Sequence, residues 1–220
     1  MLWWLTIDSR RDAHTHLPLF CPGKPARAAA RLWLNPASPP RASDPTAVLL
    51  TRILALRHGE TAWNRDTRIQ GHIDVPLNAR GQWQARRAAE ALRAEPIAAV
   101  YSSDLSRARQ TAEAVAEALG HTVSTHAGLR ERHFGEFEGK TWAEIETGWP
   151  EQALAWRKRV PEFAPTGGEN LLTLRERIAR TVNELAARHP GEQVVMVAHG
   201  GVLDVLYRLC LLYTSPSPRD

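Results

Sequence analysis

From residue 52 onward the apolar positions keep two alternating rhythms. Short unbroken runs at 53–56, 97–101 and 194–198 have the length and bulk of buried strands, and 121–125 repeats the pattern more weakly. Between them lie longer stretches with apolar residues three and four apart. The clearest is Leu171, Leu174, Ile178, Val182 and Leu185, a single stripe at spacings of 3, 4, 4 and 3. Further helices are predicted over 79–94, with Asn78 as N-cap and Pro96 beyond its end, and over 105–119, closed by Gly120. Two short helices are expected over 141–147 and 151–159 around Pro150, and a last one from Val202. Strands alternating with helices predict a three-layer α/β/α domain on a mostly parallel sheet.

Residues 1–51 keep neither rhythm. They are proline-rich, with scattered tryptophans, and are expected to be a disordered or spurious extension. Their apolar start, 1–5, is too short for a signal sequence and is followed, not preceded, by Arg10 and Arg11. The ordered domain is expected over 52–209. The final stretch, 210–220, breaks the helical pattern with Ser-Pro-Ser-Pro and resembles the translation of a sequencing-library adapter. It is expected to be an artefactual tail on a truncated domain.

Charge alters this picture little. The net +4 is contributed by residues 1–52, with seven basic and three acidic side chains, leaving 21 of each in 53–220. A neutral domain gives no reason to expect nucleic acid as a partner, and no apolar run is long enough to span a membrane. Two cysteines, Cys21 and Cys210, suggest no disulfide framework, so a cytoplasmic protein is expected; it is separately expected to be a monomer or a homodimer.

Candidate chemistry gathers at the strand ends. The first strand stops at Arg57-His58-Gly59 and the last at His199-Gly200-Gly201. In a parallel sheet these ends lie along one edge, where ligands bind. Arg107 follows the second strand and Glu131 the third, so five ionisable groups from four strand ends point to a site for a small anion. Each has a plainer alternative. A histidine at a strand end is more often a satisfied structural residue, and Arg107 or Glu131 could sit on a solvated surface. Other chemistries find less support. There is no Gly-x4-Gly-Lys-Ser/Thr loop, no Gly-x-Gly-x-x-Gly after a strand, no His-Glu-x-x-His and no metal-ligand spacing, so no metal and no nucleotide cofactor are expected. A serine triad through Ser102 or Ser103 lacks the Gly-x-Ser-x-Gly elbow.

Arg57-His58-Gly59-Glu60-Thr61 followed by Trp63-Asn64 resembles the signature of the histidine phosphatase superfamily, in its phosphoglycerate mutase-like branch. The likeness continues through Gln70-Gly71, Asp74-x-Pro76-Leu77-Asn78-x-x-Gly81, Ser102-Ser103-Asp104-Leu105-Ser106-Arg107-Ala108-x-Gln110-Thr111, Leu129-x-Glu131-x-x-Phe134-Gly135-x-x-Glu138-Gly139, Gly167-Gly168-Glu169 and Ala198-His199-Gly200-Gly201. The resemblance implies a phosphoglycerate mutase-like fold. It implies His58 as a nucleophile that becomes phosphorylated through its neutral nitrogen, the other nitrogen donating to a backbone carbonyl. Arg57 and Arg107 would bind the phosphoryl oxygens and His199 would stabilise them. Glu131 would protonate the leaving group and then activate water, and Asn64, Gln70, Gly71 and Gly200 would contact the phosphate.

The same apparatus serves hydrolysis or phosphate transfer between hydroxyls. Glycolytic mutases of the family carry a longer insertion than the roughly 35 residues between Glu131 and Gly167. The shorter lid, with Trp142, Trp149, Trp156 and Phe163 as pocket walls or as its own hydrophobic staple, favours a metal-independent phosphomonoester hydrolase for small phosphorylated metabolites. The alternative is a 2,3-bisphosphoglycerate-dependent phosphoglycerate mutase, in which 2,3-bisphosphoglycerate would be the only cofactor, as primer. A second alternative is a non-catalytic phospho-ligand module, which would need one of the five site groups to be lost.

Overall fold

The computed structural model describes residues 2–8 and 50–211, with side chains described for 50–209. In chain order the elements are β1 (Leu2–Asp8), β2 (Leu50–Arg57), α1 (Ala62–Arg65), α2 (Ala79–Leu92), β3 (Ile97–Ser102), α3 (Ser106–Leu119), β4 (Val123–Thr125), α4 (Trp142–Gly148), α5 (Pro150–Arg157), α6 (Leu171–Ala187), β5 (Gln193–Ala198) and α7 (Gly200–Leu211).

The sheet runs β1-β2-β5-β3-β4, with β2, β5, β3 and β4 parallel and β1 antiparallel at the edge. The last strand, β5, therefore inserts between the two parallel strands that precede it in the chain by far. All six of its residues are buried, and after Gln193 the run Val194–Ala198 is apolar throughout, as a central strand covered on both faces demands.

Side-chain alternation divides the core in two. Ile53, Ala55, Val194 and Met196 face α6 and α7, meeting the Leu174-Ile178-Val182-Leu185 stripe. Leu54, Leu56, Val195 and Val197 face α2 and α3, meeting Ala89, Leu92, Ala108, Ala112 and Val115. Each large side chain so buried contributes roughly 1.5–3 kcal/mol. A third, smaller cluster forms around Phe137, Ile145 and Ala153 under Trp142, Trp149 and Trp156. The lid segment thus has a core of its own, and its tryptophans serve first as that core.

Local signals act as the sequence predicts for most elements. The Asn78 side chain accepts from the Gly81 amide at 2.8 Å and caps α2, Asn170 does the same for α6, and Gly120 closes α3 at φ 70°. Three expectations need correction. Leu2–Asp8 pairs with β2 as an edge strand, so residues 1–51 are not wholly without structure; 9–49 lie outside the described residues. The final helix starts at Gly200, not Val202, its first turn closed by Leu203 N donating to His199 O. It also continues through Cys210 to Leu211, past the expected break; 212–220 lie outside the described residues. Among the described residues no helix is long and apolar enough to cross a membrane.

Candidate active site

Strand order brings the two histidines together. β2 and β5 are neighbours in register, Arg57 opposite Ala198, so the residues that follow them emerge side by side. His58 N donates to Ala198 O at 3.0 Å, and the His58 and His199 rings lie 5.2 Å apart. β3 borders β5 on its other side and delivers α3, whose second residue is Arg107.

His58 is buried, and its Nδ1 lies 2.7 Å from the Gly59 carbonyl. A carbonyl only accepts, so Nδ1 carries the proton and the lone pair is on Nε2. Burial first, and then the charge of Arg107, lower the His58 pKa from 6.5 to about 3, against the opposing pull of the Gly59 carbonyl. The ring is therefore neutral at physiological pH, as attack through nitrogen requires. His199 is fully buried and pushed well below its ordinary value, first by burial and then by the charge of Arg107, with His58, His72 and Arg57 adding to the shift. Neither of its ring nitrogens has a hydrogen-bond partner among the described residues.

The His58 loop is held by backbone contacts. Gly59 N donates to Thr111 Oγ1 and Glu60 N to Gln84 Oε1. A Cβ on Gly81 would stand 2.1 Å from the Glu60 carbonyl, and one on Gly59 would stand 2.5 Å from the Gly81 carbonyl. Loop and helix thus touch main chain to main chain, which only two glycines permit.

Arg107 is 1 % exposed. Its Nη1 donates to Ile73 O and its Nη2 to Gly71 O at 2.7 Å, while Nε is buried without a partner. The expected phosphate clamp is thus anchored by two carbonyls, with Nε the nitrogen left uncommitted. Gly71 takes φ 53°, and a Cβ there would strike the Glu138 carboxylate, which binds the amides of His72, Ile73 and Phe134. Gln70 Oε1 accepts from Thr61 Oγ1, and Asn64 Oδ1 accepts the Thr61 amide in the capping box of α1. Asn64 therefore has its Nδ2 free to face the site.

Glu131 reaches α7 from the β4 side. The Gly201 amide donates to both its carboxylate oxygens at 3.0 Å, and the Arg132 amide donates to Oε1 at 2.9 Å. Its own carbonyl is held by His72 Nε2 and Arg177. A Cβ on Gly200 would lie 3.8 Å from both Arg57 Cζ and Glu131 Oε2, so the exposed Arg57 and the carboxylate both lie close to that glycine. Arg57, His58, Asn64 and Gly200 line an open cavity of about 760 Å³. Arg107, Glu131 and His199 are not among the residues of its wall.

Sequence reasoning assigned no role to the supports Thr111, Gln84, His72, Glu138 and Arg177, although Thr111 and Glu138 stand in the motifs that carry the resemblance. Thr111 stands one helical turn beyond Arg107, a spacing that puts both on one face of α3 and could have marked it. Gln84, His72 and Arg177 act through backbone groups, which leave no trace in residue spacing.

Linkage gives the arrangement a measurable pH signature. The folded pKa of His58, about 3, lies below the ordinary 6.5. Between those values the unfolded chain takes a proton that the folded site refuses. Its stabilising contribution is therefore complete above about pH 6.5 and is lost as pH falls towards 3, and His199 acts in the same direction. Unfolding free energy from urea titrations is expected to decline on acidification by up to about 1.4 kcal/mol per pH unit for each histidine. His199→Gln should lower that slope by close to one proton's worth; an unchanged slope would show that His199 titrates normally.

A parallel α/β sheet with two neutral histidines and two arginines gathered at its carboxyl edge defines an enzyme of phosphate-ester chemistry. The profile of the histidine phosphatase superfamily (branch 1) matches residues 53–219, and the chain belongs to that family. It is 42% identical over 167 residues to phosphoglycerate mutase-like protein 4 of Arabidopsis thaliana, covering 74% of this chain and 73% of that one. To the metal-independent phosphoserine phosphatase of the same plant it is 40% identical over 161 residues, covering 72% and 68%. Among solved structures, mycobacterial glucosyl-3-phosphoglycerate phosphatase in complex with VO3 superposes with a TM-score of 0.67 at 38% identity, covering 73% of this chain and 80% of that one.

Proposed function

We propose that the protein hydrolyses phosphomonoesters of small metabolites in the cytoplasm, without a metal, through a phosphohistidine on His58. The observation that carries this reading is the His58 tautomer: Nδ1 is committed to Gly59 O at 2.7 Å, so the free lone pair is on Nε2, beside a guanidinium and a second histidine. Nε2 attacks phosphorus as the ester P–O bond breaks, and Glu131 gives the departing oxygen its proton. The Glu131 carboxylate then takes a proton from water, whose oxygen attacks phosphorus as the P–N bond breaks, releasing phosphate and neutral His58.

Charge on the three equatorial oxygens is met by Arg57, by Arg107 through Nε, and by a ring N–H of His199, with the amide of Asn64 at the periphery. Buried donors without partners are costly in a folded protein, and Arg107 Nε and His199 recover that cost against a phosphoryl group. Gln70 and Gly71 act at one remove, by shaping the loop whose carbonyls anchor Arg107. The names of the relatives, two of them phosphatases, agree with this chemistry.

The direct test sets release of nitrophenolate from p-nitrophenyl phosphate against isomerisation of 3-phosphoglycerate. Hydrolysis well above isomerisation is the expected result. Efficient isomerisation primed by 2,3-bisphosphoglycerate would instead make the protein a mutase.

A further inference from the structure

Four consecutive residues, Gly71 to Asp74, join the phosphate clamp to the candidate acid. Gly71 O and Ile73 O accept from the two terminal nitrogens of Arg107 at 2.7 and 3.0 Å. The Asp74 carboxylate accepts from the amide and the hydroxyl of Ser106, the residue before Arg107, at 2.7 and 2.6 Å. Between those two carbonyls, the side chain of His72 reaches a different partner: its Nε2 lies 2.9 Å from Glu131 O. A carbonyl only accepts, so Nε2 carries the proton and donates.

The segment is held firmly. The Glu138 carboxylate accepts from the amides of His72 and Ile73, and the half-buried His72 ring rests against that of His133, their centres 4.7 Å apart. Burial first, with the charges of His133 and Arg130 adding, lowers the His72 pKa against the pull of the Glu131 carbonyl and of Glu138. The ring therefore donates to Glu131 as a neutral group at neutral pH. Glu131 has to carry a proton in the first step, and a cation in this place would favour its ionised form instead.

Glu131 is thus fixed at both ends. Its carboxylate accepts from the Gly201 and Arg132 amides, and its main-chain carbonyl accepts from His72 and, at 3.3 Å, from Arg177. Arg177 also serves Glu169 and the carbonyls of Gly128 and Arg130. His72 is the shorter contact, and it comes from the segment that anchors the clamp.

Resting on the phosphomonoesterase reading, we infer that His72 is a positioning residue for Glu131: its ring N–H keeps the Glu131 carboxyl group in register with the phosphoryl group that Arg107 holds. Phosphate binding does not need the ring, because Arg107 is anchored by main-chain carbonyls. Proton transfer does, since a misplacement of about 1 Å costs a rate on the order of 10²-fold.

The test compares phenyl phosphate with p-nitrophenyl phosphate. The two esters are close in shape, but phenolate needs a proton from Glu131 as it leaves and nitrophenolate does not. His72→Phe keeps a ring against His133 and removes the donor. It is expected to lower kcat for phenyl phosphate by about 10- to 100-fold, part of the worth of general acid catalysis. Single-turnover release of nitrophenolate and inhibition by inorganic phosphate should stay within about threefold of native. His72→Gln, which brings a side-chain N–H to the same carbonyl, should recover part of the loss. In a Glu131→Gln background, His72→Phe should add less than about threefold, because no proton is left to position. Equal losses on both esters, loss of phosphate inhibition in His72→Phe and His72→Gln alike, or losses that multiply in the double variant would each overturn the inference and make His72 a structural brace. If the native protein hydrolyses neither ester, it is the phosphatase reading that falls. Native turnover of both esters that His72→Phe leaves unchanged removes the role of His72 alone.

Discussion

Replacing His58 with alanine is expected to lower phosphomonoester hydrolysis by about 10⁴-fold or more, the scale of losing a covalent nucleophile. The ring fills its place with little freedom. Nδ1 is pinned to Gly59 O, the amide is pinned to Ala198 O, and burial keeps it neutral. The native protein, quenched during turnover, should carry an acid-labile, base-stable phosphoryl group on His58, whereas His58→Ala should carry none. Retention of full hydrolysis by His58→Ala would remove the covalent mechanism, leaving phosphate recognition by the arginines as the only role for the site.

How much of this was legible in the sequence depended on the kind of interaction involved. Strands β2, β3 and β5 showed themselves because a strand buried on both faces has to be apolar throughout, and α6 because one stripe has to meet one sheet face. His58 and His199 could be paired because a parallel sheet puts all strand ends on one edge, whatever the strand order. The insertion of β5 between β2 and β3, which makes the two rings neighbours, could not be read from spacing; it is a long-range choice of partner. Nor could β1, whose pairing depends on a strand edge more than 40 residues away in the chain. Arg107 illustrates the same limit inside the site. Its position on the first turn of α3 was legible, but its anchoring to Gly71 O and Ile73 O depends on a left-handed glycine and on Glu138 gripping three amides. The lid tryptophans were ambiguous for a different reason. An aromatic at a pocket wall and one in a small core look alike in sequence, and Trp156 is in fact both.

Glu131 provides the sharpest test of the second half of the reaction. Glu131→Gln keeps the shape and can still accept from the Gly201 amide, so the loop should hold its place while the exchangeable proton is lost. For an alkyl phosphate such as 3-phosphoglycerate, the leaving alkoxide needs that proton, and hydrolysis is expected to fall by about 10²–10⁴-fold. Nitrophenolate leaves without protonation, so p-nitrophenyl phosphate should still phosphorylate His58. Its hydrolysis then stalls at the next step, because no carboxylate is present to take a proton from water. The variant should therefore give a burst of nitrophenolate close to one equivalent per site, followed by slow turnover, with phosphohistidine accumulating on the protein. Gly201→Ala should act on the same group by a different route, since a Cβ there would stand 2.4 Å from Glu131 Oε1 and drive the carboxylate off its amide. It should reproduce the loss on the alkyl ester. Equal losses on both esters with no burst would mean that Glu131 serves neither as acid nor as base, and that its contact with the first turn of α7 is purely structural.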